Sequence, residues 1–137
     1  FLFGEPNAVT CTTKDLYSGD DIVFSRLMYD GIDVLAIGDW AQEGTGFTAD
    51  YIIALKKATV KMDSDGVTVY PRGGGAYMPE LSSQSFYEAE IEFFIDTISS
   101  GAVNEVNSPS SAATTVKLID TLRESARSGG SIVSFEK

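Results

Sequence analysis

Few side chains in this sequence could carry acid-base or metal chemistry. The 137 residues include no histidine and a single cysteine, Cys11. Histidine and cysteine are the usual bases, nucleophiles and soft metal ligands, so their scarcity argues against zinc, haem and iron–sulfur sites. Cys11 lies in a strand-like stretch, where a small buried hydrophobe is a commoner role than a nucleophile. We therefore predict no catalytic and no metal-binding residue in this chain.

The serine and carboxylate groups are no better as candidate catalysts. Ser125 falls in the middle of a predicted helix, with no histidine and no evident lysine to activate it, so nucleophilic catalysis is unsupported. Glu88, Glu90 and Glu92 cluster on another predicted helix, where a solvated face explains them. No pair of carboxylates stands out as a general acid and base.

One glycine motif formally matches the fingerprint for dinucleotide binding. Gly44-x-Gly46-x-x-Ala49 follows an apolar run, and the segment after it could be drawn as a helix. However, Asp39 to Glu43 separates the glycines from that run, whereas the fingerprint needs a tight turn at the end of the strand. The alternative interpretation is a flexible hairpin loop, which we favour.

Two further motifs each allow a binding interpretation and a simpler one. Asp63-x-Asp65-Gly66 resembles the start of a calcium loop, but Gly74 stands where an EF-hand has its glutamate, so a turn is expected. The three glycines 73–75 could present backbone amides to an anion. Because no helix begins directly after them, a connector is the favoured interpretation.

The composition is that of one acidic globular domain. The chain carries 20 acidic residues against 10 basic ones, a net charge of -10, and no cluster of lysine and arginine along the sequence offsets it. Such a surface repels phosphate backbones, so nucleic acid and anionic membranes are unsuitable partners. No run approaches the ~18 apolar residues of a membrane span. We expect a single soluble domain, residues 1–137, in the reducing cytoplasm.

The first half of the chain has the pattern of β-strands. Apolar residues alternate, or run in short β-branched and aromatic stretches, from Val9 to about Tyr70. Asp30-Gly31 joins the stretches 21–29 and 34–40 and predicts a type I′ hairpin. A second hairpin is predicted between 59–62 and 67–70.

The second half has the pattern of two amphipathic helices. Ser85 with Glu88 predicts a capping box for the first helix, and Gly101 predicts its end. The residues that we expect this helix to bury are Tyr87, Ile91, Phe94, Ile95 and Ile98.

Ser108-Pro109 predicts the N-cap and the first residue of the second helix, which should end before Gly129-Gly130. A last strand is expected at 132–135. The residues that we expect the second helix to bury are Ala112, Val116, Ile119, Leu122 and Ala126.

Together these elements predict an α+β fold, a two-layer domain with a mostly antiparallel open β-sheet and both helices packed on one face. The strands 22–29 and 34–40 carry large apolar side chains on both faces. The face away from the helices therefore needs another cover, and a second copy of the domain is the natural candidate.

Several segments in order carry a resemblance to a known family. Residues 86–95 read FYEAEIEFFI, residues 108–113 read SPSSAA, residues 122–130 read LRESARSGG, and residues 2–6 read LFGEP. In these segments nearly the whole chain resembles the C-terminal domain of the glucose-fructose oxidoreductase, inositol dehydrogenase and MocA family. The segment 1–3 would then be the end of the helix that precedes this domain.

The resemblance implies a protein of two halves. An N-terminal Rossmann domain would bind NAD or NADP, and the present domain would close over a small sugar or polyol and make subunit contacts. The family's catalytic lysine and its Asp and His belong to the other half, so this fragment is expected to bind no cofactor and to be inactive alone. Where the family often has Gly-x-x-Gly, this chain has Leu55-Lys56-Lys57-Ala58, so a turn without positive φ is expected.

The resemblance also suggests candidate substrate-binding residues. Tyr87 matches the aromatic residue that opens the family's penultimate helix and could offer its hydroxyl to a polyol, although core packing is the alternative. Trp40, Gln42, Thr45 and Phe47 lie on the hairpin end that resembles the substrate-facing loop. The family further implies a dimer or tetramer. A second hypothesis is a stand-alone α+β binding or association module without enzymatic activity.

Overall fold

The structure is a computed structural model that describes residues 2–106 and 108–135. In these residues the elements follow the order β1 (Ala8–Lys14), β2 (Ile22–Tyr29), β3 (Ile32–Asp39), β4 (Tyr51–Ala54), β5 (Ala58–Asp63), β6 (Gly66–Pro71), α1 (Phe86–Ser100), α2 (Pro109–Arg127) and β7 (Val133–Ser134). All strand pairs are antiparallel, which confirms the α+β class. The strands form two sheets rather than one, in the orders β3-β2-β1-β7 and β4-β5-β6.

The chain divides into two compact units. The first unit is Phe1–Glu43 with Val103–Lys137, and the second unit is Gly44–Ala102. The first contains β1, β2, β3, α2 and β7, whereas the second contains β4, β5, β6 and α1. The second unit is therefore an insertion between β3 and α2 of the first.

The hairpin of β2 and β3 lies where the sequence predicts it. Tyr29 pairs with Ile32 across the two-residue loop Asp30-Gly31. Only Gly31 of this loop has a positive φ, of 74°. A type I′ turn needs positive φ at both positions, so the predicted turn type is wrong although the hairpin is confirmed.

The loop from β1 to β2 is organised around one carboxylate, which we did not predict. The Asp21 carboxylate accepts hydrogen bonds from the backbone N–H groups of Leu16, Tyr17 and Ser18 at 2.6, 2.7 and 3.1 Å, and from the Ser18 hydroxyl at 2.6 Å. Because these donors favour the charged form, they hold the pKa of Asp21 well below its usual value, and the Ser18 hydroxyl contributes most. Asp21 is itself buried.

The second helix, α2, packs on the first sheet through β1 and β7. Its N-cap is confirmed, since the Ser108 side chain accepts from the Ser111 N–H at 3.2 Å. The predicted buried face is wrong in part. Thr121 and Ser125 are the buried residues of α2, whereas three of the predicted positions, Ala112, Val116 and Ile119, are exposed.

The face that α2 turns inward carries hydroxyl groups that are hydrogen-bonded. Thr121 Oγ1 donates to the Lys117 carbonyl at 2.8 Å, and Ser125 Oγ donates to the Ser131 carbonyl at 2.6 Å. The hydrogen bonds of these hydroxyls offset the cost of removing them from water. The core that α2 covers includes Val9 and Cys11 of β1, which are both buried.

The first helix, α1, begins and ends as predicted. The Glu88 side chain accepts from the Ser85 N–H at 3.2 Å, and Gly101 ends the helix with a left-handed φ of 66°. The prediction that α1 buries its apolar face on a sheet is wrong. Within the described part of the second unit, α1 has no buried residue and makes no extensive contact with β4, β5 or β6. Periodicity identifies an apolar face but not its partner.

The second sheet is a simple meander of three strands. Asp63 pairs with Gly66 across Ser64-Asp65, as predicted for the second hairpin. The tight turn from β4 to β5 is closed by the Leu55 N–H, which donates to the Ala58 carbonyl at 2.8 Å. Among the described non-glycine residues only Asp20 has a positive φ, so the expectation for the turn 55–58 is confirmed.

Two further expectations concern the ends of the chain and the membrane. Leu2 and Phe3 are not helical, and Phe1 lies outside the described residues, so no end of a helix is seen at this point. In the described part of the chain, no helix combines the length and apolarity that crossing a membrane requires.

Candidate functional site

The five predicted site residues divide between the two units. Trp40 and Gln42 belong to the first unit and follow β3, whereas Thr45, Phe47 and Tyr87 belong to the second. The predicted hairpin between the stretch 34–40 and the next strand is absent among the described pairings, because β4 pairs in the second sheet. Residues 40–50 instead form a long connection between two sheets.

The candidates on this connection are held mainly by local contacts. The Trp40 N–H donates to the Asp21 carbonyl at 2.8 Å, while its side chain is 81% exposed. Gln42 Nε2 donates to Asp39 Oδ2 at 3.0 Å. Phe47 is 91% exposed. The large aromatic surfaces of Trp40 and Phe47 are thus available for contact with another molecule.

Tyr87 lies on an exposed face of α1. Its ring is tilted against that of Phe86, with centroids 4.5 Å apart, and 66% of the residue is exposed. Core packing of Tyr87, the alternative raised by the sequence, is therefore wrong. The hydroxyl is free to meet a ligand that approaches α1.

The glycine fingerprint does not build a dinucleotide site. Gly44 has a left-handed φ of 75°, but the segment after Ala49 is the strand β4 rather than a helix. A pyrophosphate at this motif would need the N-terminal amides and the dipole of a helix. The residues 44–54 consequently do not fit NAD or NADP. A loop is confirmed here, but it is a connection between two sheets and not the hairpin loop that was expected.

The aspartate motif is a turn, as predicted. Asp63 Oδ1 accepts from the Asp65 N–H at 3.0 Å, and Asp63 also forms an ion pair with Lys61. Across residues 2–106 and 108–135 no group of three or more His, Cys, Asp or Glu side chains could hold a metal ion.

The first sheet has one face that α2 leaves open. By the register of β2 with β3, this face carries Phe24 beside Ile37 and Arg26 beside Leu35. Phe24, Leu35 and Ile37 are 43%, 77% and 71% exposed. Arg26 forms a bidentate ion pair with Asp33 at 2.9 and 3.0 Å on the same face. An apolar patch bordered by a fixed ion pair is typical of a surface that contacts protein.

A shallow depression of about 520 Å³ follows one face of α1. Its lining combines the apolar Ile91 and Ile95 with three acidic residues, Glu88, Glu92 and Asp96. Gln84 also lines it and donates a hydrogen bond from Nε2 to Glu92 Oε2 at 2.7 Å. The prediction that Glu88, Glu90 and Glu92 form a solvated face is confirmed, because all three are exposed.

Pairing of β5 with β6 creates a basic cluster that is not visible along the sequence. Ala58 pairs with Pro71, so the next positions outward, Lys57 and Arg72, lie directly opposite each other. The Arg72 N–H donates to the Lys57 carbonyl at 2.9 Å. Lys56 is the other residue of the turn. The prediction that no lysine and arginine cluster interrupts the acidic balance is therefore wrong for this tip of the second sheet.

Comparisons with known proteins agree with the architecture. No family model matches the chain, and no curated protein matches it. Two crystal structures resemble it over nearly its whole length. An oxidoreductase from Pseudomonas syringae matches with a TM-score of 0.77 and 12% identity, over 96% of this chain and 46% of that one. A Klebsiella pneumoniae protein assigned as an oxidoreductase matches with a TM-score of 0.75 and 17% identity, over 99% of this chain and 46% of that one.

These likenesses establish the fold. At 12% and 17% identity they assign no activity to this chain. The chain spans less than half the length of each of the two proteins.

Proposed function

We propose that this chain is the C-terminal substrate and oligomerisation domain of an NAD(P)-dependent oxidoreductase that acts on a sugar, a polyol or a related hydroxyl compound. The observation that carries the proposal is the match of almost the whole chain to under half of two proteins described or assigned as oxidoreductases. The resemblance of residues 86–95 and 122–130 to one dehydrogenase family supports the same assignment.

In this proposal the other half of the protein binds the cofactor. The loop 44–50 does not cradle a pyrophosphate, since a strand follows it, and the chain has no histidine to act as a base. A Rossmann domain elsewhere in the longer protein would supply both functions. The present domain would contribute surfaces that position the substrate, with the hydroxyl of Tyr87 and the exposed rings of Trp40 and Phe47 as its candidates.

The open face of the first sheet supports the oligomerisation role. Phe24, Leu35 and Ile37 place a contiguous apolar patch on it. A two-fold dimer covers such a patch with its own copy, so no additional partner is needed. The net charge of -10 opposes association, but at 0.15 M salt the screening length is only about 8 Å. Burial of apolar area at contact should therefore outweigh the repulsion.

Cofactor titration tests whether the cofactor is bound by the other half of the protein and not by this chain. NADH and NADPH are added to the 137-residue chain while their fluorescence is followed, with an intact dehydrogenase as the positive control. We expect no saturable change for this chain. Micromolar binding of either cofactor to the chain would contradict the proposal.

The gene distinguishes the proposal from a stand-alone association module, which the open apolar face would also suit. A coding sequence for a glycine-rich βαβ domain immediately before the codon of Phe1 supports the oxidoreductase. A start codon close to Phe1 supports the module and would overturn the proposed catalytic parent.

A further inference from the structure

We infer that the tip of the second sheet, formed by Lys56, Lys57, Arg72 and the glycines 73–75, binds the phosphate group of a small phosphorylated metabolite. This basic tip is independent of the proposed oxidoreductase role, because it lies within the second unit and binding can be measured on the chain alone.

The first observation is a pair of like charges placed opposite each other. Lys57 and Arg72 continue the register of Ala58 with Pro71 and are joined by a backbone hydrogen bond of 2.9 Å. Like charges at directly opposite positions of an antiparallel pair destabilise a sheet. The chain has 20 acidic residues, yet in the described part none forms an ion pair with Lys56, Lys57 or Arg72.

The second observation is the distribution of charge along the same sheet. The acidic residues Asp50, Asp63 and Asp65 lie at the opposite end of β4, β5 and β6, where Asp63 neutralises Lys61. The acidic groups that the sheet does carry are thus kept away from the basic tip. An anion from solution is the partner that would relieve the repulsion between Lys57 and Arg72.

The third observation concerns backbone donors beside these cations. Residues 73–75 are all exposed glycines, and the N–H groups of Gly73 and Gly75 have no hydrogen-bond partner among the described residues. No side chain would screen them, since the space where a Cβ would stand is open at both. Gly73 has a left-handed φ of 80°, a conformation that residues with side chains rarely adopt. Amides of this kind beside a cation form a common setting for phosphate.

The size of the partner follows from the charge of the rest of the molecule. A net charge of -10 repels extended polyanions such as nucleic acid or an anionic bilayer. A single phosphate ester reaches the tip without approaching the acidic surface elsewhere. Guanidinium and ammonium groups with free amides match the three terminal oxygens of a phosphate monoester.

Amide shifts in the NMR spectrum of the 137-residue chain test the assignment. The probes are inorganic phosphate and glycerol 3-phosphate, added at pH 7 and at constant ionic strength kept with sodium chloride. We expect saturable millimolar binding of both, with shifts centred on Lys57, Gly73 and Gly75. The variant K57Q/R72Q should bind about tenfold more weakly, roughly threefold for each exposed cation removed.

The matched control is K14Q, which removes an exposed lysine from β1 in the first unit and should leave both affinities unchanged. Circular dichroism checks that each variant keeps its fold. Equal binding to K57Q/R72Q and the unmodified chain would overturn the inference. Binding of inorganic phosphate without glycerol 3-phosphate, or of an oligonucleotide or anionic vesicle without glycerol 3-phosphate, would also overturn it.

Discussion

The hydroxyl of Ser125 bridges β1 to the segment before β7 at a point where the two have separated. Its Oγ accepts from the Cys11 N–H at 2.8 Å and donates to the Ser131 carbonyl at 2.6 Å. Val9 pairs with Val133 in an antiparallel register. Two residues further along this register, Ser131 is the residue opposite Cys11. The hydroxyl from α2 therefore takes the place of a direct backbone hydrogen bond between the Cys11 N–H and the Ser131 carbonyl.

Replacement of Ser125 by alanine should destabilise the first unit. It leaves the buried Cys11 N–H and the Ser131 carbonyl without their partner, which should cost about 1–3 kcal/mol in the free energy of unfolding. Urea denaturation measures this cost. Thr115→Ala is the control, since Thr115 lies on an exposed part of α2 and its change should stay within about 0.5 kcal/mol. Equal costs for the two variants would refute the bridging role.

Gly130→Ala should be more destabilising than Gly129→Ala. Both glycines have a left-handed φ, of 84° and 71°. A Cβ at Gly129 meets open space, whereas a Cβ at Gly130 would lie 2.7 Å from Thr12 Cγ2. Backbone strain of about 1–3 kcal/mol is common to both, so the difference isolates the clash.

Thr12→Ser provides the rescue for this clash, since it removes Cγ2. In its presence Gly130→Ala should cost no more than Gly129→Ala in thermal or urea unfolding. A Gly130→Ala variant as stable as Gly129→Ala without the rescue would show that the chain relaxes around the new methyl group.

Asp21→Asn should destabilise the chain at neutral pH and much less in acid. The carboxylate accepts hydrogen bonds at both of its oxygens. The amide would replace one of these oxygens by an N–H₂ group, which cannot accept from these donors. The pKa of Asp21 is lower in the folded chain than in the unfolded chain. The ionised carboxylate therefore contributes its full stability above the unfolded pKa of about 3.9. That stability is lost as the pH falls through the pKa of the folded chain.

Melting temperatures from pH 7 to pH 2 test this dependence. The difference in melting temperature between the unmodified chain and Asp21→Asn should become smaller below about pH 4. Asp20→Asn is the control, because Asp20 is exposed and asparagine tolerates its left-handed φ of 53°. If the difference in melting temperature did not change with pH, the charge of the carboxylate would contribute nothing to stability.

Lysine at positions 35 and 37 should disrupt self-association. We expect the unmodified chain to elute as a dimer or tetramer, and L35K/I37K to approach the monomer mass of 14.7 kDa in light scattering after size exclusion. Two charges in the centre of an apolar interface are left unpaired on association, which is strongly unfavourable. Val103→Lys is the control, since Val103 is 82% exposed outside the sheet. A monomeric unmodified chain at micromolar concentration would contradict the proposed interface.

Tyr87→Phe should affect substrate binding in the full-length protein. If the hydroxyl of Tyr87 contacts a polyol, its loss should raise the KM for the substrate about fivefold and leave cofactor affinity unchanged. Tyr17→Phe, at another exposed tyrosine, is the control. An unchanged KM would remove Tyr87 from the site.

The local elements of this fold could be predicted from the sequence. Ser108 and Gly101 mark a helix start and a helix end through interactions within a few residues, and both are confirmed. Asp30-Gly31 likewise marks the hairpin of β2 and β3. Signals of this kind depend on neighbours in the chain, so a single sequence contains them.

The tertiary features could not be predicted in the same way. The periodicity of α2 favoured burial of Val116, whereas Ser125 is buried because its hydroxyl finds partners far away in sequence. The basic pair Lys57 and Arg72 forms only when β5 meets β6 in one register. Of the candidate site residues, Trp40, Phe47 and Tyr87 are exposed, and the sequence had left core packing open for Tyr87.

The insertion of the second unit between β3 and α2 has a consequence for the order of synthesis. The hairpins of both sheets join neighbouring segments, so they can form as soon as those segments leave the ribosome. Ser125, which accepts from the Cys11 N–H, lies 114 residues further on, and closing so long a loop must wait until α2 has been translated. During that interval Val9 and Cys11 lack the helix that buries them. We therefore expect the nascent chain to present this strand to chaperones until α2 emerges.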